Sequence, residues 1–324
     1  MRTPLSWLAD RYTWGPQSLR RAAAASVAAA VLIIVTGGVV RVTGSGLGCP
    51  EWPSCTGESL APTAEMGVHG AIEFGNRLLT GVLCVAVGWL IIAARLQSVP
   101  SRNVLRGAWA QFWVVVLNAV VGGITVWMRL SPYIVAAHFL AASLLLATAV
   151  VTWERVQWQE RGVSAQEVVS RRAVTLSRLL LVGAAALLVV GTAVTGSGPH
   201  AGDSSDVTRM PFGWESATIV HGAIAVACLV LGVLLLTALP AGSSARRRTG
   251  VFLAVFALQG AVGVFQSLTS LPSVAVVLHL LGSALVWAGA VSVTLVVKRH
   301  STARAAVGDQ PSARLARSTI AADT

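Results

Sequence analysis

Charge is scarce in this chain. Of its 324 residues 11% are Asp, Glu, Lys or Arg, while 55% are hydrophobic, and the mean hydropathy is +0.72. A soluble globular protein carries roughly a quarter charged residues, so a soluble enzyme is excluded. Acidic residues are scarcer than basic ones, 13 against 24. The resulting +11 would indicate a nucleic-acid surface only if the charges gathered on one folded face. The first 21 residues are too polar for a signal peptide and lack a small-residue cleavage site, so the first apolar stretch is expected to remain in the protein.

What the chain has in abundance is long apolar runs. A spanning helix needs roughly 20 mostly apolar residues. Eight such runs are read at 22–40, 68–94, 107–128, 133–153, 176–196, 216–239, 250–269 and 273–297. The basic residues map onto alternate connections and the two ends. The N-terminal segment holds Arg2, Arg11, Arg20 and Arg21. The second connection holds Arg95, Arg102 and Arg106; the fourth holds Arg155, Arg161, Arg171, Arg172 and Arg178. The sixth holds Arg246, Arg247 and Arg248, and the tail holds Lys298, Arg299, Arg304, Arg314 and Arg317. These are 20 of the 24. By the positive-inside rule both termini are expected in the cytoplasm of a cell-membrane protein. Arg41, Arg77, Arg129 and Arg209 fall outside this pattern.

An internal repeat divides the runs into two sets of four. VTGSG occurs at 42–46 and 194–198, and VHGAI at 68–72 and 220–224, both 152 apart. Asn118-Ala-Val-Val-Gly resembles Gln259-Gly-Ala-Val-Gly, and His138 in IVAAHF resembles His279 in VVLHLL, both 141 apart. The fold expected is an all-α membrane protein of eight spans in two pseudosymmetric four-helix bundles, with parallel repeats. The segments are a cytoplasmic 1–21, an N-terminal half 22–153, a linker 154–175, a C-terminal half 176–297 and a disordered cytoplasmic tail 298–324.

Four histidines lie in the apolar runs: His69, His138, His221 and His279, on alternate spans. Ionisable residues inside a membrane are costly and usually face a functional interior. The repeat maps His69 onto His221 and His138 onto His279, and both pairs fall towards the outer side. Two imidazoles at similar depth on facing helices suit bis-histidine ligation of a haem iron. No Cys or carboxylate set suits zinc, and no Cys-x-x-Cys-His is present for covalent attachment, so a haem here is non-covalent. Glu73 lies one turn from His69 and Arg77 one turn further. Glu73 and Arg77 are read either as a structural ion pair or as a carboxylate set beside a substrate. The second half has Ala225 where the first has Glu73.

The outer segment GLGCPEWPSCTG (46–57) brings Cys49 and Cys55 six residues apart, on the side where disulfides persist. A structural staple and a redox-active pair are both open readings. Cys84 and Cys228 lie within spans and read as packing residues.

GGVVRVTGSGLGCPEWPSCTG (37–57), IEFGNR (72–77), the membrane histidines and the eight spans together resemble the haem A synthase family over about residues 20–297. The resemblance implies oxidation of a ring methyl of haem O to a formyl group, giving haem A for cytochrome c oxidase. It implies haem b held by His221 and His279, substrate haem contacted by His138, Glu73 as catalytic carboxylate, and Cys49 and Cys55 as the family's loop cysteines. The family pattern E-[FY]-x-H-R has histidine where Asn76 stands. His69 is expected near the substrate iron or a propionate instead. Arg41, Arg77 and Arg129 are expected propionate partners. The expected partners are haem O, a haem O synthase upstream, membrane lipid and, as an open alternative, a second copy of the chain, with no nucleic acid. The competing readings are a non-catalytic or quinone-linked di-haem cytochrome b, needing two equivalent haems and no Glu73, and a transporter, needing helix breaks at the midplane.

Overall fold

A computed structural model describes residues 4–161, 169–200, 202–203 and 207–308. A short helix α1 (Pro4–Ala9) precedes α2 (Pro16–Val42), α3 (Gly67–Arg95), α4 (Arg102–Trp127), α5 (Pro132–Arg161), α6 (Arg171–Ser197), α7 (Trp214–Ala238), α8 (Ser244–Leu268) and α9 (Ser273–Gly308). The eight helices α2–α9 are each long and apolar enough to cross a membrane. Their walls carry many exposed large apolar side chains, Val85, Val182 and Ile219 among them, as a lipid-facing surface requires. Part of the linker and the tail beyond Gly308 lie outside the described residues; α9 runs past the apolar limit of 297 to Gly308.

Four of the helices, α2, α4, α6 and α8, start five or six residues before their apolar runs do, because hydropathy does not see the polar first turns. Ser101, Ser170 and Ser243 each cap a helix, accepting from the backbone N–H of Val104, Ala173 and Arg246. A serine oxygen satisfies one of the orphaned donors of the first turn, so each helix begins in the arginine-rich segment itself. All three caps lie at the same end of the bundle, called here the basic end. The opposite end, with the connections 43–66, 128–131, 198–213 and 269–272, is called the loop end.

Each half closes into a ring: α2–α3–α4–α5 and α6–α7–α8–α9 pack neighbour to neighbour, while the backbones of α3 and α5, and of α7 and α9, stand across the ring with no Cα atoms within 8 Å of each other. The halves join through α2 with α9, α5 with α6, and α5 with α9. Exchanging the halves turns this set of contacts into itself, as pseudo-twofold symmetry demands. Each half has its own core, the first around Leu90, Leu145 and Leu146, the second around Leu180, Leu235 and Val293, and Trp287 packs on both. Trp287 also donates its indole N–H to the carbonyl of Ser143 at 2.8 Å. Near the basic end Arg248 of α8 pairs with the buried Glu154 of α5, and Ser292 donates to the same carboxylate at 2.8 Å.

Candidate functional site

Three of the membrane histidines stand at one level. His138 is the seventh residue of α5, His221 the eighth of α7 and His279 the seventh of α9. At 1.5 Å per residue that is about 10 Å below the loop end. Each ring lies against a glycine of the preceding helix. A Cβ on Gly122 would stand 3.1 Å from Cε1 of His138; on Gly191, 3.3 Å from that of His221; on Gly263, 3.0 Å from that of His279. The missing side chain is what lets each imidazole lie against the helix wall. Nδ1 of His138 and of His221 is buried without a hydrogen-bond partner. Buried polar atoms are nearly always paired, so such exceptions call for an explanation. His221 and His279 stand on α7 and α9, which face each other across the ring, within electrostatic range of each other. Among the described residues no group of three or more His, Cys, Asp or Glu is placed to hold a metal ion.

His69 stands apart from this level. Although VHGAI repeats in both halves, α3 starts at Gly67 and α7 at Trp214. The same pentapeptide therefore opens α3 but lies two turns inside α7. His69 is exposed in the first turn, and its Nδ1 pairs with Ser45 Oγ at 2.9 Å. The glycine that faces His221 has Val39 as its counterpart 152 residues earlier. Asn76, tenth in α3, is closer in depth to His138, and its carbonyl oxygen accepts from Thr36 Oγ1 of α2 at 2.7 Å.

The disulfide loop lies over the first half. Cys49 and Cys55 are bonded, and both are fully buried. Glu73, also buried, accepts the N–H of Cys49 at 2.6 Å and is bound by Arg77 at 2.5 and 3.1 Å. Arg77 further donates to the carbonyls of Glu51 and Ser54 at 2.9 Å and of Cys49 at 3.1 Å. Trp52 lies on Gly123 of α4 and meets Trp127 edge to face at 5.7 Å. The expected propionate role of Arg77 is accordingly replaced: its guanidinium is spent on one carboxylate and three loop carbonyls. Arg129 is exposed on the α4–α5 turn at φ 47°. Arg41 crosses between the halves and donates to the carbonyl of Thr195 at 2.7 Å. Arg209, outside any span, is half-buried, and that burial pulls its pKa below the ordinary arginine value.

Sequence reading passed over three sets of residues that shape this site. Gly122, Gly191 and Gly263 carry a signal only once each is matched to its histidine. Gln259 donates to Nδ1 of His279 at 2.9 Å, and was visible only as a member of the repeat. Arg209 was visible only as a charge outside the topological pattern.

The model of one family, described as cytochrome oxidase assembly protein (COX15-CtaA), matches residues 20–291. The chain belongs to that family. Among curated proteins it is similar to the heme A synthase of Exiguobacterium sibiricum, 36% identical over 126 residues, covering 36% of this chain and 40% of that protein. The heme A synthase of Lysinibacillus sphaericus is 35% identical over 127 residues, covering 37% and 40%. That of Staphylococcus saprophyticus is 25% identical over 162 residues, covering 50% and 52%. The chain thus spans two fifths to about half the length of these relatives. In this member of the cytochrome oxidase assembly family the two halves share a histidine level but differ above it. Among the described residues, the first half alone carries a buried carboxylate and a disulfide-closed loop.

Proposed function

We propose that this protein makes haem A, oxidising a ring methyl of haem O to a formyl group for cytochrome c oxidase. The observation that carries the reading is the asymmetry of the two halves around one histidine level. The second half presents two glycine-backed histidines on opposed helices. The first presents one such histidine, His138, below a loop fixed to a buried carboxylate. The names of its relatives support the same reading. A non-catalytic di-haem cytochrome would need two equivalent slots, which these halves do not provide.

The residues of the second half fit haem b. His221 and His279 would hold its iron, between the facing helices α7 and α9. Bound there, haem b supplies an electron-accepting centre next to the substrate half. His138 is the proposed axial contact of the substrate haem. His69 and Asn76 belong to the mouth and the α2-facing wall of that site, not to a second iron ligand. Glu73 carries the negative charge that would stabilise a cationic carbon at the methyl or receive its proton, and Arg77 holds that carboxylate in position. Arg41 and Arg129 remain proposed contacts for propionates. The buried Cys49–Cys55 bond acts in this reading as a staple, since a sulfur must be reached before it can exchange. The gathered basic residues support a cell-membrane protein with both termini cytoplasmic. Haem O synthase is the proposed upstream partner.

The test is spectroscopic. Purified protein is expected to hold a low-spin haem b whose signal is lost in both His221→Ala and His279→Ala. Retention of that signal in either variant would refute the ligand assignment.

A further inference from the structure

The outer end of α6 collects two cations from different parts of the chain. Arg41, at the end of α2, donates Nη2 to the carbonyl of Thr195, and its stem packs beside Gly202 of the second half's loop. Met210 docks on the adjacent residue, its N–H donating to the carbonyl of Gly196 at 3.0 Å and its sulfur lying against that glycine. Its neighbour Arg209 is thereby brought to the same helix end, where it is the charged neighbour of Arg41. Two half-buried guanidiniums repel each other unless an anion lies between them. Each has a buried nitrogen without an acceptor, Nε of Arg41 and Nη2 of Arg209. Asp203 of the same loop accepts from the backbone N–H of Leu47 at 3.4 Å. Thr195 is one turn, about 6 Å, outward of Gly191, the glycine that backs His221. The cations therefore stand just beyond the histidine level of the second half, although one of them comes from the first.

We propose that Arg41 and Arg209 form an anion site at the seam between the halves, which binds the carboxylate side chains of the tetrapyrrole held by His221 and His279. This rests on the haem reading of that histidine pair. Guanidinium–carboxylate contacts are directional and charge-assisted, so the site fixes which edge of the ring faces the loop end. It also means that the first half clamps the cofactor of the second, so the two halves cannot separate without releasing it.

The test is a thermodynamic cycle between protein and ligand. Affinities of the purified protein for haem and for haem dimethyl ester, which lacks the carboxylates, are measured by optical titration in wild type and in Arg209→Gln. The expected result is about tenfold tighter binding of haem than of its ester in wild type. Arg209→Gln loses that preference and leaves ester affinity unchanged. Arg41→Lys, which keeps the charge and loses the fork, gives an intermediate preference. Equal weakening of both ligands by Arg209→Gln would overturn the proposal. So would ester binding that needs added inorganic phosphate in wild type alone, because the site would then hold a free anion. Haem binding that survives His221→Ala would instead overturn the haem reading, and this proposal with it.

Discussion

Gln259 holds His279 at two points. Its amide nitrogen donates to Nδ1 of that histidine at 2.9 Å and to its carbonyl oxygen at 2.8 Å. In the first half Asn118 stands 141 residues earlier and is one methylene shorter. It turns to the carbonyl of Val114 at 2.9 Å, and Nδ1 of His138 is left without a partner. The two histidines sit alike, yet only the second is buttressed. A hydrogen bond of this kind is worth about 1 kcal/mol. Gln259→Leu is expected to weaken haem b binding roughly fivefold, the equivalent of that energy, and to broaden its low-spin signal. Asn118→Leu leaves both unchanged. Haem titration followed by electron paramagnetic resonance checks this.

The glycines opposite the histidines give a graded prediction. Gly263→Val and Gly191→Val push the imidazole off the helix wall, and overpacking of this kind costs about 1–3 kcal/mol. Both are expected to lose haem absorption. Gly222 and Gly260 have open space where a Cβ would stand, so Gly222→Ala and Gly260→Ala retain it. Haem stoichiometry of the four purified variants decides.

Arg77 and Glu73 separate bracing from chemistry. Removing Arg77 strands a buried carboxylate and releases three loop carbonyls, and breaking such a pair costs about 3–5 kcal/mol. Arg77→Ala is expected to lower thermal stability strongly, and Arg77→Lys to recover part of it, since a single ammonium cannot reproduce the fork. Glu73→Gln keeps an oxygen for the N–H of Cys49. It is expected to retain more stability than Arg77→Ala while losing conversion of haem O. Melting curves measured beside turnover distinguish the two roles.

The ion pair of Glu154 and Arg248 joins α5 to α8 far from the histidines. Arg248→Met alone leaves a buried charge and is expected to cost about 3–5 kcal/mol, whereas Glu154→Leu combined with Arg248→Met approaches wild-type stability. Thermal unfolding of the single and double variants in detergent tests this, and haem content is expected to follow stability alone.

The eight spans were legible because apolar length is a coarse property that survives any local detail. Their starts were not, since hydropathy ends where Arg102, Arg171 and Ser244 begin while the backbone helix continues. The level shared by His138 and His279 followed from the 141-residue repeat, because α5 and α9 each start six residues before their histidine. The matching of His69 to His221 failed in depth for the same reason in reverse. The loop of Cys49 and Cys55 delays the start of α3, and sequence identity does not fix where a helix begins. Arg248 read as a topological charge and is also half of a buried pair. The pairing of Arg77 with Glu73 was one of the two open readings, because the two stand one turn apart, but its three bonds to loop carbonyls were not visible. What was missed are partners that are distant in sequence or are backbone carbonyls, which no residue pattern displays.

Conversion of haem O is the most direct readout of the proposed activity. Cells expressing this chain together with a haem O synthase are extracted, and their haems are identified by mass. Hydroxylated and formylated haem is expected with the wild-type chain, and unconverted haem O with Glu73→Ala. Haem O persisting unaltered with the wild-type chain, in cells where the protein is present and holds haem b, would contradict the proposed activity.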